Sequence, residues 1–449
     1  MVTIKCSEVL QLDGNILMKF FLPDWEDRID PGYSLNNDMY SDSHMSNPYA
    51  NDVYAHQIYK ENPPYDGILV SLSNYRSKLK LKEDDTGRLS IRGFNDIRDY
   101  LKIPTSSKLE VMGDSGAFSY VTERNPPQPF FSIENVAGIY NDLNFKFGVS
   151  VDHIAAESYL IVDKNGKRKR VKRPMSEKRY RVNLTLKNDM LFYHYHRRER
   201  LNFIPVGVAQ GFDENSYRKS VQKIIEMGYD HIALGGLVQY TDAFIIKILE
   251  EIKPLVRGVD VHLFGVLRPD KLLTFRELGV TSFDSASYLR KSWLRSGQNY
   301  LTKNNTWYTA LRVPYRNNPN VLARAKELGI AEQELETMEL EALEAIHVYA
   351  NGHSSVEKTL EKVLKYDKIL LRNSKDERNL EEKYRITLSS RPWDKCDCSI
   401  CSNLGVDVVI FRGTHRNKQR GFHNNWVFRN QIMPSKLGII PSGTMVSNT

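Results

Sequence analysis

The stretch IPVGVAQGFDENSYRKSVQKIIEMGYDHIALGG, residues 204–236, contains two short apolar runs separated by a segment long enough to form a helix. The runs IPVGVAQ and HIALGG are rich in apolar and β-branched residues, which favours buried strands. A strand, a helix and a second strand in this order form the unit from which parallel sheets are built. The stretch therefore predicts parallel β-structure with crossover helices.

The same alternation extends along the chain from about Asp66 onward. Further runs that predict strands are GILVSL near residue 67, KLEVMGD ending at Asp114, FGVSVD ending at Asp152, VHLFGV near residue 261 and TSFD ending at Asp284. With the two runs above they make seven strands, and TWYTALRV at residues 306–313 is a weaker candidate for the eighth. Repeated units of this kind predict an α/β protein with a TIM (β/α)8 barrel.

Four of the predicted strands end on polar side chains, namely Asp114, Asp152, Gln210 and Asp284. TIM barrels carry their active sites at the carboxyl ends of the strands, so these side chains are expected to converge. An aspartate after a strand is also a common helix N-cap. Four such residues together favour an enzyme active site.

The composition favours a protein of the cytoplasm that has no contact with membranes. Hydrophobic residues make up 41% of the 449 residues, and no apolar run reaches the length of about eighteen residues that a membrane span needs. The N-terminal sequence lacks the pattern of a secretory signal. We expect a monomer or a homodimer.

The formal net charge of +8 is concentrated in DKNGKRKRVKRPMSEKRYR, residues 163–181. A dense run of cations attracts a phosphate backbone, although many such runs are only solvated loops. The sequence predicts a nucleic-acid-binding surface formed by Lys167, Arg168, Lys169, Arg170, Lys172 and Arg173.

Three of the four cysteines, Cys396, Cys398 and Cys401, lie within six residues. Thiolates this close together suit one tetrahedral metal ion, for which His415 and His423 are the candidate fourth ligands. Four protein ligands leave no open position for a bound water, so the predicted Zn2+ is structural. His423 lies in the apolar, aromatic stretch GFHNNWVF, which could begin a helix that fixes the imidazole.

Several strand ends resemble the tRNA-guanine transglycosylase superfamily. Asp114-Ser115-Gly116-Ala117-Phe118 is similar to its Asp-Ser-Gly-Gly-Phe segment, and Val208-Ala209-Gln210-Gly211 and Gly235-Gly236-Leu237 are similar to two of its turns. Phe283-Asp284-Ser285-Ala286-Ser287-Tyr288 resembles the segment that carries its nucleophile. The resemblance to the superfamily covers roughly residues 66–312 and 391–430, and within it the chain is most similar to the DpdA-type 7-deazaguanine DNA transglycosylases.

The resemblance implies a pentosyltransferase that replaces guanine in DNA with a 7-deazaguanine derivative, such as 7-cyano-7-deazaguanine, through a covalent aspartyl-glycosyl intermediate. It implies that Asp284 is the nucleophile, that Asp114 is the general acid and base, and that His423 is the fourth metal ligand. The residues that it implies for base binding are Ser115, Asp152, Gln210, Gly235, Gly236 and Leu237. The alternatives are a transglycosylase of the archaeosine or queuosine type that acts on tRNA and a non-catalytic subunit that binds nucleic acid.

The changes in sequence character predict five segments. Residues 1–65 form an N-terminal segment with a mobile insertion, and residues 66–315 form the catalytic barrel. Residues 316–385 form a helical insertion, residues 386–435 a zinc-binding subdomain that closes the barrel, and residues 436–449 a tail.

Overall fold

The computed structural model describes residues 18–81, 89–162, 166–294, 297–370 and 374–439. The first residues of the predicted basic run, 163–165, and most of the predicted tail lie outside the described residues. The chain divides into two compact units. The first comprises Met1–Glu26, Tyr65–Ala286 and Met433–Thr449, and the second comprises Asp27–Pro64 and Ser287–Ile432.

The first unit contains a closed barrel of eight strands, in which every neighbouring pair is parallel. The strands are β1 (Lys19–Pro23), β2 (Gly67–Ser71), β3 (Glu110–Asp114), β4 (Phe147–Val149), β5 (Ile204–Ala209), β6 (His231–Leu234), β7 (Asp260–Leu263) and β8 (Ser282–Asp284). Their order around the barrel is β1-β8-β7-β6-β5-β4-β3-β2, with β2 closing on β1. The predicted α/β barrel is confirmed.

The barrel strand that is missing from the seven predicted strands is β1, which comes from the N-terminal part of the chain. Phe21 of β1 pairs with Gly67 of β2 on one side and with Asp284 of β8 on the other. The expectation that residues 306–313 supply this strand is wrong, since Trp307–Tyr308 pairs with Tyr300–Leu301 and Leu311–Arg312 pairs with Ile410–Phe411. The apolar run KFFLP, which forms β1, does not stand out in the sequence as a barrel strand because a long polar stretch separates it from the other strands.

Helices of ten or more residues follow the barrel strands β3, β4, β5 and β6 in the first unit. They are α1 (Ile133–Asp142), α2 (Met175–Glu199), α3 (Glu214–Glu226) and α4 (Asp242–Ile252). In α3 the buried residues Tyr217, Val221 and Ile224 recur at helical spacing and form one apolar face. Asp213 caps this helix by accepting a hydrogen bond from the Ser216 amide, which fixes where the chain turns from β5 into α3.

The barrel interior is packed with side chains. The core cluster consists of Phe21, Leu69, Met112, Phe147, Val149, Val206, Val208 and Ala233, each at most 7% exposed. A filled barrel has no room for a ligand at mid-height, so chemistry is expected at the rim where the strands end.

The second unit is mainly helical. Its longer helices are α5 (Pro319–Glu327), α6 (Glu332–Ala350), α7 (Val356–Asp367), α8 (Ser374–Ser390) and α9 (Gly413–Val427). These bounds confirm that the stretch following Asn318 is helical. The predicted N-terminal segment, residues 1–65, which is expected to include a mobile insertion, contains the short helices Asp42–Ser46, Pro48–Asn51 and Ala55–Ile58, and the paired strands Arg28–Ile29 and Val53–Tyr54. The five predicted segment boundaries stay predictions.

Other short helices are Leu72–Tyr75, Ile97–Tyr100, Leu272–Glu277, Ser287–Lys291, Ser399–Leu404 and Met433–Lys436. Other strand pairs are Leu79–Leu81 with Leu89–Ile91 and Ser158–Val162 with Arg168–Lys172. Among the described residues, none of the helices combines the length and the apolar character needed to cross a bilayer.

Candidate active site and metal centre

The polar strand ends lie on one rim of the barrel. Asp114 is the last residue of β3 and Asp284 the last of β8, while Gln210 directly follows β5 and Asp152 lies three residues after the end of β4. All eight strands are parallel, so their carboxyl ends form the same rim. The convergence expected from the sequence is therefore present.

Asp114 lies in an environment that favours its protonated form. Burial, together with the negative charges of Asp152 and Asp284, raises the pKa of Asp114 to about 7, although hydrogen bonds from the Gly116 amide and the Ser71 hydroxyl oppose the shift. A carboxyl group whose pKa lies near neutrality can both donate and accept a proton at physiological pH. This is the property that general acid-base catalysis requires.

Gly116 shapes the turn after Asp114. Its φ of +85° lies in the left-handed region, and a Cβ at this position would collide with the hydroxyl groups of Ser71 and Ser73. Glycine alone avoids both the strained backbone and the collision. The turn thereby holds the Gly116 amide where it can reach the Asp114 carboxylate.

Asp284 is 5% exposed and is held by two donors from the β7 end. The Gly265 amide donates to Oδ1 over 2.8 Å, and Nε2 of His262 lies 3.3 Å from the same oxygen. On its other side His262 places Nδ1 2.8 Å from the Ser282 hydroxyl. Both contacts are on Oδ1, and among the described residues no donor reaches Oδ2, so this is the oxygen available for a reaction partner.

Asp152 and Gln210 form a buried polar pair. Nε2 of Gln210 donates to Oδ2 of Asp152 over 2.7 Å, and the Ser115 hydroxyl lies 3.5 Å from Oδ1. Burial raises the pKa of Asp152 to about 6, although hydrogen bonds from Gln210 and Ser115 oppose this shift. Amide and carboxyl groups together offer both donors and acceptors to a bound base.

The Gly235-Gly236-Leu237 turn makes room for this pair. A Cβ on Gly235 would collide with Nε2 of Gln210, and a Cβ on Gly236 would lie 2.9 Å from Oε1. Gly236 also has a φ of +76°. The Leu237 side chain is fully buried, so only the backbone of this residue could face a ligand.

The predicted basic surface divides into exposed and buried residues. Lys167, Arg168, Lys169, Arg170 and Lys172 are exposed. Arg173 is 2% exposed, donates to the Val121 carbonyl and forms an ion pair with Glu177. We therefore correct the prediction for Arg173, which holds the base of this segment in place and cannot reach a phosphate.

The metal cluster expected from the sequence forms in the second unit. The ligand atoms of Cys396, Cys398, Cys401 and His423 all lie within 4.8 Å of one another and could hold a metal ion. Nδ1 of His423 lies 3.3 Å from the Cys398 sulfur and 3.4 Å from the Cys401 sulfur. The histidine of the cluster is His423. His415, the other candidate for the fourth ligand, has its Nε2 hydrogen-bonded to the Asp30 carbonyl.

The surroundings of the cluster fit a bound cation. Nε2 of His423 lies 2.7 Å from the Leu301 carbonyl, so it carries the proton and leaves the Nδ1 lone pair for a metal. The hydroxyl of Tyr59 donates to the Cys398 sulfur over 3.3 Å, and that of Tyr300 lies 3.2 Å from the Cys401 sulfur. Hydrogen bonds of this kind orient thiolate ligands.

Sequence reasoning did not assign a role to His262, Gly265 or Ser71. For His262 a signal exists, because it is the polar residue within the apolar run VHLFGV. Gly265 acts through its amide and Ser71 through a hydroxyl on a different strand, so their contacts depend on the barrel register. Tyr59 and Tyr300 likewise reach the cysteines only through folding.

Comparison with known proteins identifies the family. The family described as "Queuine tRNA-ribosyltransferase" matches residues 150–409, more than half of the chain. The chain is also 36% identical over 427 residues to a DNA-guanine transglycosylase of Salmonella montevideo, covering 92% of this chain and 96% of that protein. The chain belongs to the queuine tRNA-ribosyltransferase family. The resemblance inferred from the strand ends is confirmed.

A second relative matches over a shorter stretch. The tRNA-guanine(15) transglycosylase of Nanoarchaeum equitans (strain Kin4-M) is 36% identical over 96 residues, which is 20% of this chain and 23% of that protein. The residues of the family match include Asp152, Gln210, Asp284 and the three clustered cysteines, whereas Asp114 and His423 lie outside that range.

Proposed function

We propose that this protein is a guanine transglycosylase that replaces guanine in DNA with a 7-deazaguanine base. The observation that carries the proposal is the pair of carboxyl groups, Asp114 and Asp284, at the carboxyl ends of β3 and β8. Exchange of a base with retention at the sugar needs one carboxylate as nucleophile and one carboxyl group as acid and base. The two environments described above suit these two roles.

In the first half of the reaction, Oδ2 of Asp284 attacks the anomeric carbon of the target deoxyribose. A bond forms between the carboxylate oxygen and this carbon while the bond to guanine breaks, and Asp114 gives its proton to the departing base. The Gly265 amide and His262 hold the other oxygen, so the attacking oxygen keeps its orientation. The product is a covalent aspartyl-glycosyl intermediate and a free guanine.

In the second half, Asp114 takes a proton from the incoming 7-deazaguanine base, whose nitrogen then displaces Asp284 from the sugar. The bond to the new base forms as the ester bond to Asp284 breaks. Both half-reactions use the same two residues, which is why a pKa of Asp114 near 7 is useful.

Base binding is assigned to Ser115, Asp152, Gln210 and the backbone of the Gly235-Gly236-Leu237 turn. Asp152 and Gln210 already bind each other with a 2.7 Å hydrogen bond. The polar atoms of these two side chains that are not in this bond would face the edge of a guanine. A pocket with paired polar groups rejects bases that lack the matching donors and acceptors. The target nucleotide has to leave its stack to reach this rim.

The preference for DNA over tRNA rests on the coverage of the two relatives. The DNA-guanine transglycosylase is matched over 96% of its length, whereas the tRNA-guanine(15) transglycosylase is matched over 23%. The exposed cations Lys167, Arg168, Lys169, Arg170 and Lys172 are assigned to the phosphate backbone. A cytoplasmic location and a monomeric or dimeric state complete the proposal.

We assign the Cys3His cluster to a structural Zn2+. Three thiolates and one imidazole are the donor set that zinc prefers, and four protein ligands leave no position for a reacting water. The ion would hold Cys396, Cys398 and Cys401 to α9, which carries His423. The chemistry then depends on the barrel carboxylates alone.

The test combines an exchange assay with a search for the intermediate. Purified protein is incubated with radiolabelled guanine and either duplex DNA or bulk tRNA, and we expect label to enter DNA only. Incubation with DNA and no free base, followed by a denaturing gel, should show a protein–DNA adduct for the wild type and none for Asp284→Ala. Label in tRNA alone would overturn the DNA assignment, and an adduct in Asp284→Ala would overturn the nucleophile.

A further inference from the structure

The segment that carries the exposed cations is a two-stranded antiparallel ribbon, formed by Ser158–Val162 and Arg168–Lys172. It begins shortly after Asp152, in the connection that leads from β4 to α2. Its chain therefore leaves the barrel from the rim on which the carboxylates lie. We call this feature the ribbon.

One face of the ribbon combines apolar and cationic side chains. The register pairs Leu160 with Arg170 and Val162 with Arg168, so these four side chains project from the same face. Leu160 is 51% exposed and Val162 is 66% exposed, and both arginines are exposed as well. Tyr159 and Val171 on the opposite face are partly buried.

The base of the ribbon is fixed to the rim. Nε2 of Gln239 donates to the Ser158 carbonyl over 2.9 Å, and the Ser158 hydroxyl donates back to Oε1 of Gln239 over 3.2 Å. Gln239 lies two residues after Leu237, the last residue of the Gly235-Gly236-Leu237 turn. Glu157, the residue before the ribbon, forms ion pairs with Lys172 and Lys178. The ribbon is thus held beside the turn assigned to the base.

An enzyme that extrudes a base from duplex DNA leaves a gap in the stack. Proteins that distort the duplex commonly insert aliphatic side chains between bases, which replaces part of the lost stacking. Single exposed aliphatic residues are ordinary on protein surfaces. Leu160 and Val162 differ in being neighbours on one face, in having arginines opposite them, and in lying on a ribbon that is fixed to the active-site rim.

We propose that the ribbon enters a groove of duplex DNA and that Leu160 and Val162 fill the gap left by the extruded guanine. Arg168 and Arg170 then bind the phosphates beside the gap. This assignment rests on the proposed function.

The shape of the ribbon favours DNA. The major groove of B-form DNA is about 12 Å wide and admits a two-stranded ribbon, whereas the major groove of A-form RNA is too narrow for side chains to read.

The experiment compares the wild type with the double variant Leu160→Ser/Val162→Ser in the guanine exchange assay. Three substrates of one sequence are used, namely duplex DNA, single-stranded DNA and a duplex in which the guanine faces an abasic site. The double variant should lose about tenfold in kcat/KM on the intact duplex, because gap filling supports extrusion only there. It should keep wild-type rates on the other two substrates.

Two further variants serve as controls. Leu160→Met/Val162→Leu preserves apolar side chains and should keep the activity on duplex DNA. Leu273→Ser removes another aliphatic side chain, 37% exposed and outside the ribbon, and should behave as the wild type on all three substrates. Melting temperatures of all variants show that they are folded, which is expected because the replaced side chains are exposed.

The outcomes separate the two proposals. Suppose that the wild type exchanges guanine in duplex DNA, and that the double variant either matches the wild-type rate on all three substrates or loses the same factor on all three. This result would overturn the ribbon assignment alone. Bulk tRNA is added as a fourth substrate for the wild type, and exchange into tRNA and into no DNA would overturn the proposed function and the ribbon assignment with it. A loss confined to the intact duplex supports both.

Discussion

Replacing Asp114 by asparagine tests whether the barrel rim raises the pKa of this carboxyl group. The ordinary pKa is 3.8 and the folded-state pKa is about 7. Between these two values the folded protein binds more protons than the unfolded chain, so the stability of the wild type falls as pH rises through this window. Asparagine has the same shape as aspartate and carries no charge, so the stability of the variant lacks this fall with rising pH.

The magnitude follows from the two pKa values. Each pKa unit corresponds to about 1.36 kcal/mol, so the raised pKa of Asp114 lowers the free energy of unfolding by about 4 kcal/mol at about pH 8 and by about 1.6 kcal/mol at about pH 5. The free energy of unfolding of Asp114→Asn relative to the wild type should therefore increase by up to about 3 kcal/mol between these pH values. Because Asp114 is partly exposed, screening by water makes this figure an upper limit.

The assay is urea unfolding followed by circular dichroism at about pH 5 and about pH 8, for the wild type and two variants. The matched control is Asp270→Asn. A hydrogen bond from Lys436 and the charge of its ammonium group lower the pKa of Asp270. This carboxylate is ionised at both pH values, so its replacement should change stability equally at both. An equal effect of Asp114→Asn at both pH values would refute the raised pKa.

Three further predictions follow from contacts in the two units. Cys398→Ser should lose the bound zinc by metal analysis and lower the melting temperature, and full zinc occupancy with unchanged melting would contradict the structural role. His262→Ala should slow adduct formation by about tenfold or more through the loss of orientation at Asp284, and an unchanged single-turnover rate would argue against this. Gly235→Ala should raise KM for guanine, because the added methyl group displaces the Gln210 amide. Gly138→Ala in α1, where nothing lies within 4 Å of the added methyl group, is its control and should leave KM unchanged.

Local sequence patterns determined much of the fold and of the site. Seven of the eight barrel strands follow from short apolar runs, because burial on both faces requires runs of this composition. Asp114, Asp152, Gln210 and Asp284 were found because the carboxyl ends of parallel strands share a rim. The three cysteines were found because ligand spacing is a property of the local chain.

Only the tertiary structure decided features that depend on distant segments. The strand that closes the barrel, β1, is set by its pairing with β2 and β8, which no local pattern reveals. Burial of Arg173 depends on the packing of the ribbon base, and composition alone placed it among the exposed cations. The raised pKa of Asp114 arises from burial and from two carboxylates on other strands. Long-range electrostatics and burial are properties of the folded chain, and for that reason the sequence identified the reacting groups while the fold set their protonation and orientation.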